Sequence, residues 1–186
     1  MLKKSILFIS ILSLFMFNGC SSDESANADV NDMVSANEYV LTGIDTKQYV
    51  VKKQADGFVL DNSKGKVVIF DIFATWCPPC RAAASHLTSL QKKYKDELVI
   101  IGITVEDSIA NEKLTKFRKE YNADYILVNS DQNRLLTAEI VTELGLGQRH
   151  PIPLMAMYID GKLINHYVGA TEEEFIESDI KRALGK

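Results

Sequence analysis

Apolar and polar positions divide the chain into a leader, a polar stretch and a patterned body. Ile6 to Phe17 is a mostly apolar run behind Lys3 and Lys4, and Ser21 to about Glu38 is rich in Ser, Asn and Asp. That polar stretch cannot bury enough surface to fold and reads as a flexible tether. Beyond it, Tyr39-Val40-Leu41 and Tyr49-Val50-Val51 alternate, with breaks at Gly43-Ile44-Asp45 and Asp56-Gly57, and they predict an N-terminal hairpin. Ser63 to Lys66 is a turn, and Val67 to Phe73 is an apolar, β-branched segment of the kind found in fully buried strands.

From there the period changes. Leu87, Leu90 and Tyr94 are spaced by three or four, predicting an amphipathic helix that ends near Lys95-Asp96. Leu98 to Ile103 reads as a second buried strand, Ile109 to Tyr121 as a helix, Tyr125 to Val128 as a short strand, and Leu135 to Leu144 as a helix ending at Gly145. Strands alternating with helices of this length imply βαβ units and a parallel sheet. Leu154 to Ile159 and Leu163 to Val168 flank Asp160-Gly161, a strong hairpin signal. A last helix follows, for which Thr171 can serve as cap and Glu174 can complete a capping box.

The 186 residues, 46% of them hydrophobic, suffice for one domain with a sizeable core. The leader is too short for a comfortable membrane span and reads as a signal peptide. It ends Phe17-Asn18-Gly19-Cys20, which resembles a bacterial lipoprotein signal with Cys20 as the lipidated first residue, the alternatives being an uncleaved anchor or an ordinary secretory signal. The expected organisation is therefore a signal over 1–19, a tether over 20–38 and one domain over 39–186. The formal net charge is −4, and removing Lys3 and Lys4 makes it more acidic. With no basic block, nucleic acid is not an expected partner.

Cysteine usage then locates the chemistry. With Cys20 assigned to the lipid, only Cys77 and Cys80 remain, so the pair is reactive and not part of a disulfide framework. They sit where the central strand turns into a helix, with Pro78 suited to the first helical position. Cys77 then lies at a helix N-terminus, where free amides and the dipole favour a thiolate. Cys77 is expected to be the more exposed sulfur and the nucleophile, with Cys80 shielded and resolving. Pro78 and Pro79 each remove an N–H donor, so thiolate stabilisation rests on the Cys80 amide, which favours a reducing pair.

Zinc would need two more ligands, and His86, His150 and His166 show no paired spacing. A peroxidatic cysteine would want Ser or Thr three residues earlier, where Ala74 stands. No cofactor or metal is expected. Asp71 interrupts the apolar strand and alternates onto the face of Ile69 and Phe73. Buried there, its carboxyl would be raised and suited to take and return the Cys80 proton, the alternative being an edge-exposed acid. Trp76 reads either as a cover and apolar docking surface for the cysteine site or as simple core packing. Arg81 adds positive potential near Cys77 or merely snorkels.

The stretch Gly65 to Val68 through Phe73-Ala74-Thr75-Trp76-Cys77-Pro78-Pro79-Cys80-Arg81, followed in order by Ile152-Pro153, Asp160-Gly161 and Gly169, resembles the thioredoxin fold. The likeness is to the membrane-tethered TlpA/ResA type of thiol:disulfide oxidoreductase, and it covers roughly Tyr39 to Leu184. It implies an α/β fold with a central mixed sheet flanked by helices, extended here by the N-terminal hairpin. It also implies that Pro153 is a cis-proline facing the dithiol, and that the Ile152 backbone offers hydrogen bonds to an extended substrate. A trans proline starting a strand is the alternative, with Pro151 two residues earlier.

Three positions depart from that branch. Ala83 and Ser85 stand where it often has Glu and Pro, and Asp71 stands where it often has Asn. Implied partners are disulfide-containing exported proteins, apocytochrome c among them, and a membrane thiol electron donor, at the periplasmic face of a bacterial envelope. Competing readings are a disulfide oxidant or isomerase, and a copper-binding chaperone module using Cys77 and Cys80 as soft ligands. No nearby cluster of Met or His supports the last.

Overall fold

In a computed structural model, residues 37–147 and 149–186 are described. The expected signal peptide, Cys20 and all but the end of the tether lie outside them. The chain begins with β1 (Glu38–Thr42), β2 (Gln48–Gln54) and β3 (Gly57–Leu60), an antiparallel three-stranded sheet in the order β1-β2-β3. Next come β4 (Val67–Phe73), α1 (Pro78–Lys93), β5 (Leu98–Thr104), α2 (Asn111–Tyr121), β6 (Ile126–Val128) and α3 (Asn133–Glu143). The chain closes with β7 (Leu154–Ile159), β8 (Lys162–Val168) and α4 (Glu173–Ala183).

The second sheet has the order β6-β5-β4-β7-β8. β4, β5 and β6 run parallel, while β7 and β8 run antiparallel. This is the expected thioredoxin-type mixed sheet, with β4 at its centre and buried at every position. Strand alternation gives β4 two different faces. Val67, Ile69 and Phe73 share a core with α1, α2 and α4, through Leu87, Leu90, Phe117, Ile176 and Ile180. Val68, Phe70 and Ile72 share the other core with α3 and the N-terminal sheet, through Leu136, Ile140, Leu41, Val51 and Phe58. Helices on both faces of a largely parallel sheet follow from βα crossovers.

The expected N-terminal hairpin is present, and a turn at Ala55-Asp56 adds β3 to it. That strand is almost wholly buried, so it shows no alternation to mark it. Gly57, at φ +143, packs so closely that a Cβ would come within 2.7 Å of the Gly161 carbonyl oxygen. Two local expectations, both at helix ends, are corrected. The capping box of α4 does not form: the cap is Glu172, with no side-chain hydrogen bond. Glu174 is thereby one position too close to the cap to reach back, and Glu173 instead accepts from Ser89 on α1 at 2.7 Å. Finally, α1 ends at Lys93, where Tyr94 turns its carbonyl to the amides of Glu97 and Leu98.

Candidate active site

The strand-to-helix junction fixes the cysteines. β4 stops at Phe73, the amide of Cys77 donates to the Ala74 carbonyl at 3.2 Å, and Cys77 becomes the cap of α1. Pro78 and Pro79 fill the first helical positions, where amides lack intrahelical partners anyway. The first side-chain acceptor for those orphan amides is a sulfur: Cys77 Sγ accepts from the Cys80 amide at 3.3 Å. Cys77 and Cys80 form a disulfide with their Cα atoms 5.3 Å apart.

Opposite lies the loop before β7. Its Ile152–Pro153 peptide bond is cis, and the Ile152 carbonyl oxygen lies 3.7 Å from Cys77 Sγ. That approach is a hydrogen bond only when Cys77 carries a proton. The Gly169 amide, just past β8, donates to the Pro153 carbonyl at 2.8 Å and holds the loop in place. Trp76 is 59% exposed beside this pair, which removes the core-packing alternative for its side chain.

The expected difference in exposure between the sulfurs is not found: Cys77 is 2% and Cys80 3% exposed. In the disulfide each sulfur covers the other, and the Ile152–Pro153 loop covers Cys77. What distinguishes the two cysteines is position. Cys77 is the cap and accepts the amide; Cys80 lies within the first turn and supplies it.

Asp71 is buried, 3% exposed, at the middle of β4 and between Ile69 and Phe73, which share a core cluster with both cysteines. The edge-exposed alternative is therefore excluded. Burial pushes its carboxyl from 3.8 up to about 7, and a hydrogen bond donated by the Tyr125 hydroxyl to Oδ2 at 3.0 Å pulls in the other direction. Its Oδ1 has no hydrogen-bond partner among the described residues.

Sequence reasoning missed the groups that hold the loop before Cys77. Glu106, just beyond β5, accepts from the Thr75 amide at 2.6 Å and its hydroxyl at 3.1 Å. Burial acts to raise Glu106, but donors from Lys113 and Thr75 outweigh it and hold the carboxyl below its ordinary range. Arg81 Nε donates to the Thr75 carbonyl at 2.8 Å, and its guanidinium lies 5.1 Å from the centre of the Tyr121 ring. Arg81 thus braces the loop. The only signal for Glu106 was an acid just past the carboxyl end of a parallel strand, where ligand- and loop-binding residues collect. Among the described residues no group of three or more His, Cys, Asp or Glu could hold a metal.

A family model described as Redoxin matches residues 45–184. The chain is 26% identical over 142 residues to a thiol:disulfide interchange protein DsbE of Vibrio cholerae, covering 75% of this chain and 74% of that protein. It is 23% identical over 189 residues to the thiol-disulfide oxidoreductase ResA of Bacillus thuringiensis, covering 97% of this chain and 98% of that protein. In fold it is similar to the crystal structure of a thiol:disulfide interchange protein of the thioredoxin family from Chlorobium tepidum. The TM-score is 0.60 at 22% identity, covering 81% of this chain and 95% of that one.

Proposed function

The chain belongs to the Redoxin family as a thioredoxin-like thiol:disulfide oxidoreductase, and from that premise we propose that it reduces disulfides of exported proteins, held outside the cytoplasm by a lipid on Cys20. The observation that carries the reductant reading is the poverty of donors at Cys77. Two prolines open α1, and among the described residues the Cys80 amide is the donor to Cys77 Sγ. A thiolate with little stabilisation makes the reduced form less favoured and the pair more reducing.

In the proposed cycle the Cys77 thiolate attacks one sulfur of a substrate disulfide and expels the other as a thiolate. Cys80 gives its proton to the Asp71 carboxylate and attacks Cys77 Sγ. The Cys77–Cys80 bond forms, the bond to the substrate sulfur breaks, and two electrons have passed to the substrate. Trp76, exposed beside the pair, offers an apolar surface, and the Ile152 backbone offers hydrogen bonds to an extended segment. A membrane thiol donor recharges the disulfide, since the bacterial periplasm is kept oxidising. Apocytochrome c thiols are one substrate that fits this role.

Among the described residues no helix is long and apolar enough to cross a membrane. Support for the anchor comes from the Phe17-Asn18-Gly19-Cys20 pattern, and fatty-acid labelling that persists in Cys20→Ser would remove it. The reductant assignment is tested by equilibrating the pair with glutathione. A potential nearer thioredoxin's about −270 mV than the strong oxidant's about −120 mV is expected. A value at the oxidising end would overturn the direction of transfer.

A further inference from the structure

Asp71 is seated by Gly102 on the neighbouring strand β5 and by Tyr125, the residue just before β6. In the parallel register of β4 with β5, Gly102 stands opposite Asp71. A Cβ on Gly102 would lie 2.8 Å from Leu127 Cδ2, 3.0 Å from Tyr125 Cε2 and 3.2 Å from Phe73 Cε1. The space a methyl group would need is shared by Leu127, Phe73 and the Tyr125 ring, and that last ring carries the hydroxyl that reaches Asp71 Oδ2 at 3.0 Å.

The backbone around Tyr125 is fixed from both sides. Arg118 of α2 donates to its carbonyl at 2.8 Å, and the amide of Asp124 donates to Thr88 Oγ1 of α1 at 2.7 Å. The ring thus enters from a pinned chain through a gap that only glycine leaves open.

We propose that Tyr125 is a positioning residue for the exchange reaction: seated in the gap at Gly102, its hydroxyl holds Asp71 by Oδ2 and leaves Oδ1 to take the Cys80 proton. This rests on the reading of Asp71 as the base for Cys80. Oδ1 is the buried oxygen without a partner among the described residues. Burial and Asp71 itself push the Tyr125 hydroxyl well above 10, so it stays a donor throughout the working range. A donor to the carboxylate favours the charged form, while burial favours the acid. Their balance leaves Asp71 at about 7, where taking and returning a proton are both accessible.

Few other groups act on this pair. β5 brings Gly102 and β7 brings Met155 opposite Asp71. Cys77 and Cys80, at the start of α1, share a core cluster with Tyr125, and the charge of Arg118 is felt at Tyr125. On α4, Asp179 is turned to Tyr167, Asn165 and Arg182 instead.

The resolving step can be watched alone. Reduced protein is treated with a chromogenic aromatic disulfide. The first aromatic thiolate marks attack by Cys77 and the second marks attack by Cys80. The second rate is followed against pH in wild type, Tyr125→Phe, Gly102→Ala and each of these combined with Asp71→Asn.

Losing a charge-assisted donor should move the Asp71 inflection upward by about one pH unit or more. The second rate at pH 7 then falls about fivefold or more and is regained at higher pH, with the first rate unchanged. Gly102→Ala should shift the profile in the same direction by displacing the ring, and neither change should matter once Asp71 is Asn. An inflection in Tyr125→Phe at the wild-type pH, with Asp71→Asn still abolishing it, overturns the role of Tyr125 and spares that of Asp71. An inflection that survives Asp71→Asn overturns both.

Discussion

Asp71 is the residue at which folding and chemistry pull in opposite directions. Its ordinary value is 3.8, and burial raises it to about 7 in the folded protein. Below 3.8 both states are protonated and the acid costs nothing. Between 3.8 and about 7 the unfolded chain has lost the proton that the folded chain retains, so stability falls as pH rises; above that the penalty is constant. Asp71→Asn, neutral throughout, should therefore gain on wild type by about 1.4 kcal/mol per pH unit across the window. Urea unfolding of the disulfide form at pH 4 and pH 8 reads it, and an equal gain at both would contradict the buried charge. An acid inside an apolar strand was legible from sequence. Its partner Tyr125 was not, because the two are 54 residues apart and meet only through sheet pairing.

Elements close their hydrogen-bond ledgers with side chains where a neighbouring element stops short. β6 pairs with β5 only over Ile101–Ile103, leaving the start of β5 without a strand on that side. Gln91 of α1 stands in: it donates to the Leu98 carbonyl at 2.8 Å and accepts from the Ile100 amide at 2.8 Å. Gln91→Ala should cost about 1–3 kcal/mol by leaving both strand groups unpaired. A lower urea midpoint with an unchanged reduction potential is the expected outcome; no loss would mean water replaces the amide. The α1 start was readable from Pro78 and Pro79, since proline there is a local signal. The α4 start was not: Thr171 and Glu174 fit a capping box in sequence, yet the pull of α1 on Glu173 comes from tertiary packing.

At the scale of the whole molecule, the alternation of strand and helix was enough to give the parallel β4-β5-β6 ladder, and Asp160-Gly161 gave the closing hairpin. Sequence did not show how the second face of the sheet is covered. Leu41, Val51 and Phe58 of the N-terminal sheet join Leu136 and Ile140 of α3 over Phe70 and Ile72, a match of surfaces that no local period records. Nor did it foresee that both sulfurs are equally covered, since that depends on the loop at Ile152 closing over Cys77. Position at the helix start therefore has to distinguish the two cysteines.

The central claim is that Cys77 attacks and Cys80 resolves. Trapping mixed disulfides from cells expressing Cys80→Ala or Cys77→Ala tests it most directly. Cys80→Ala should accumulate covalent complexes with its partners and Cys77→Ala almost none. Capture by Cys77→Ala in place of Cys80→Ala would contradict the account.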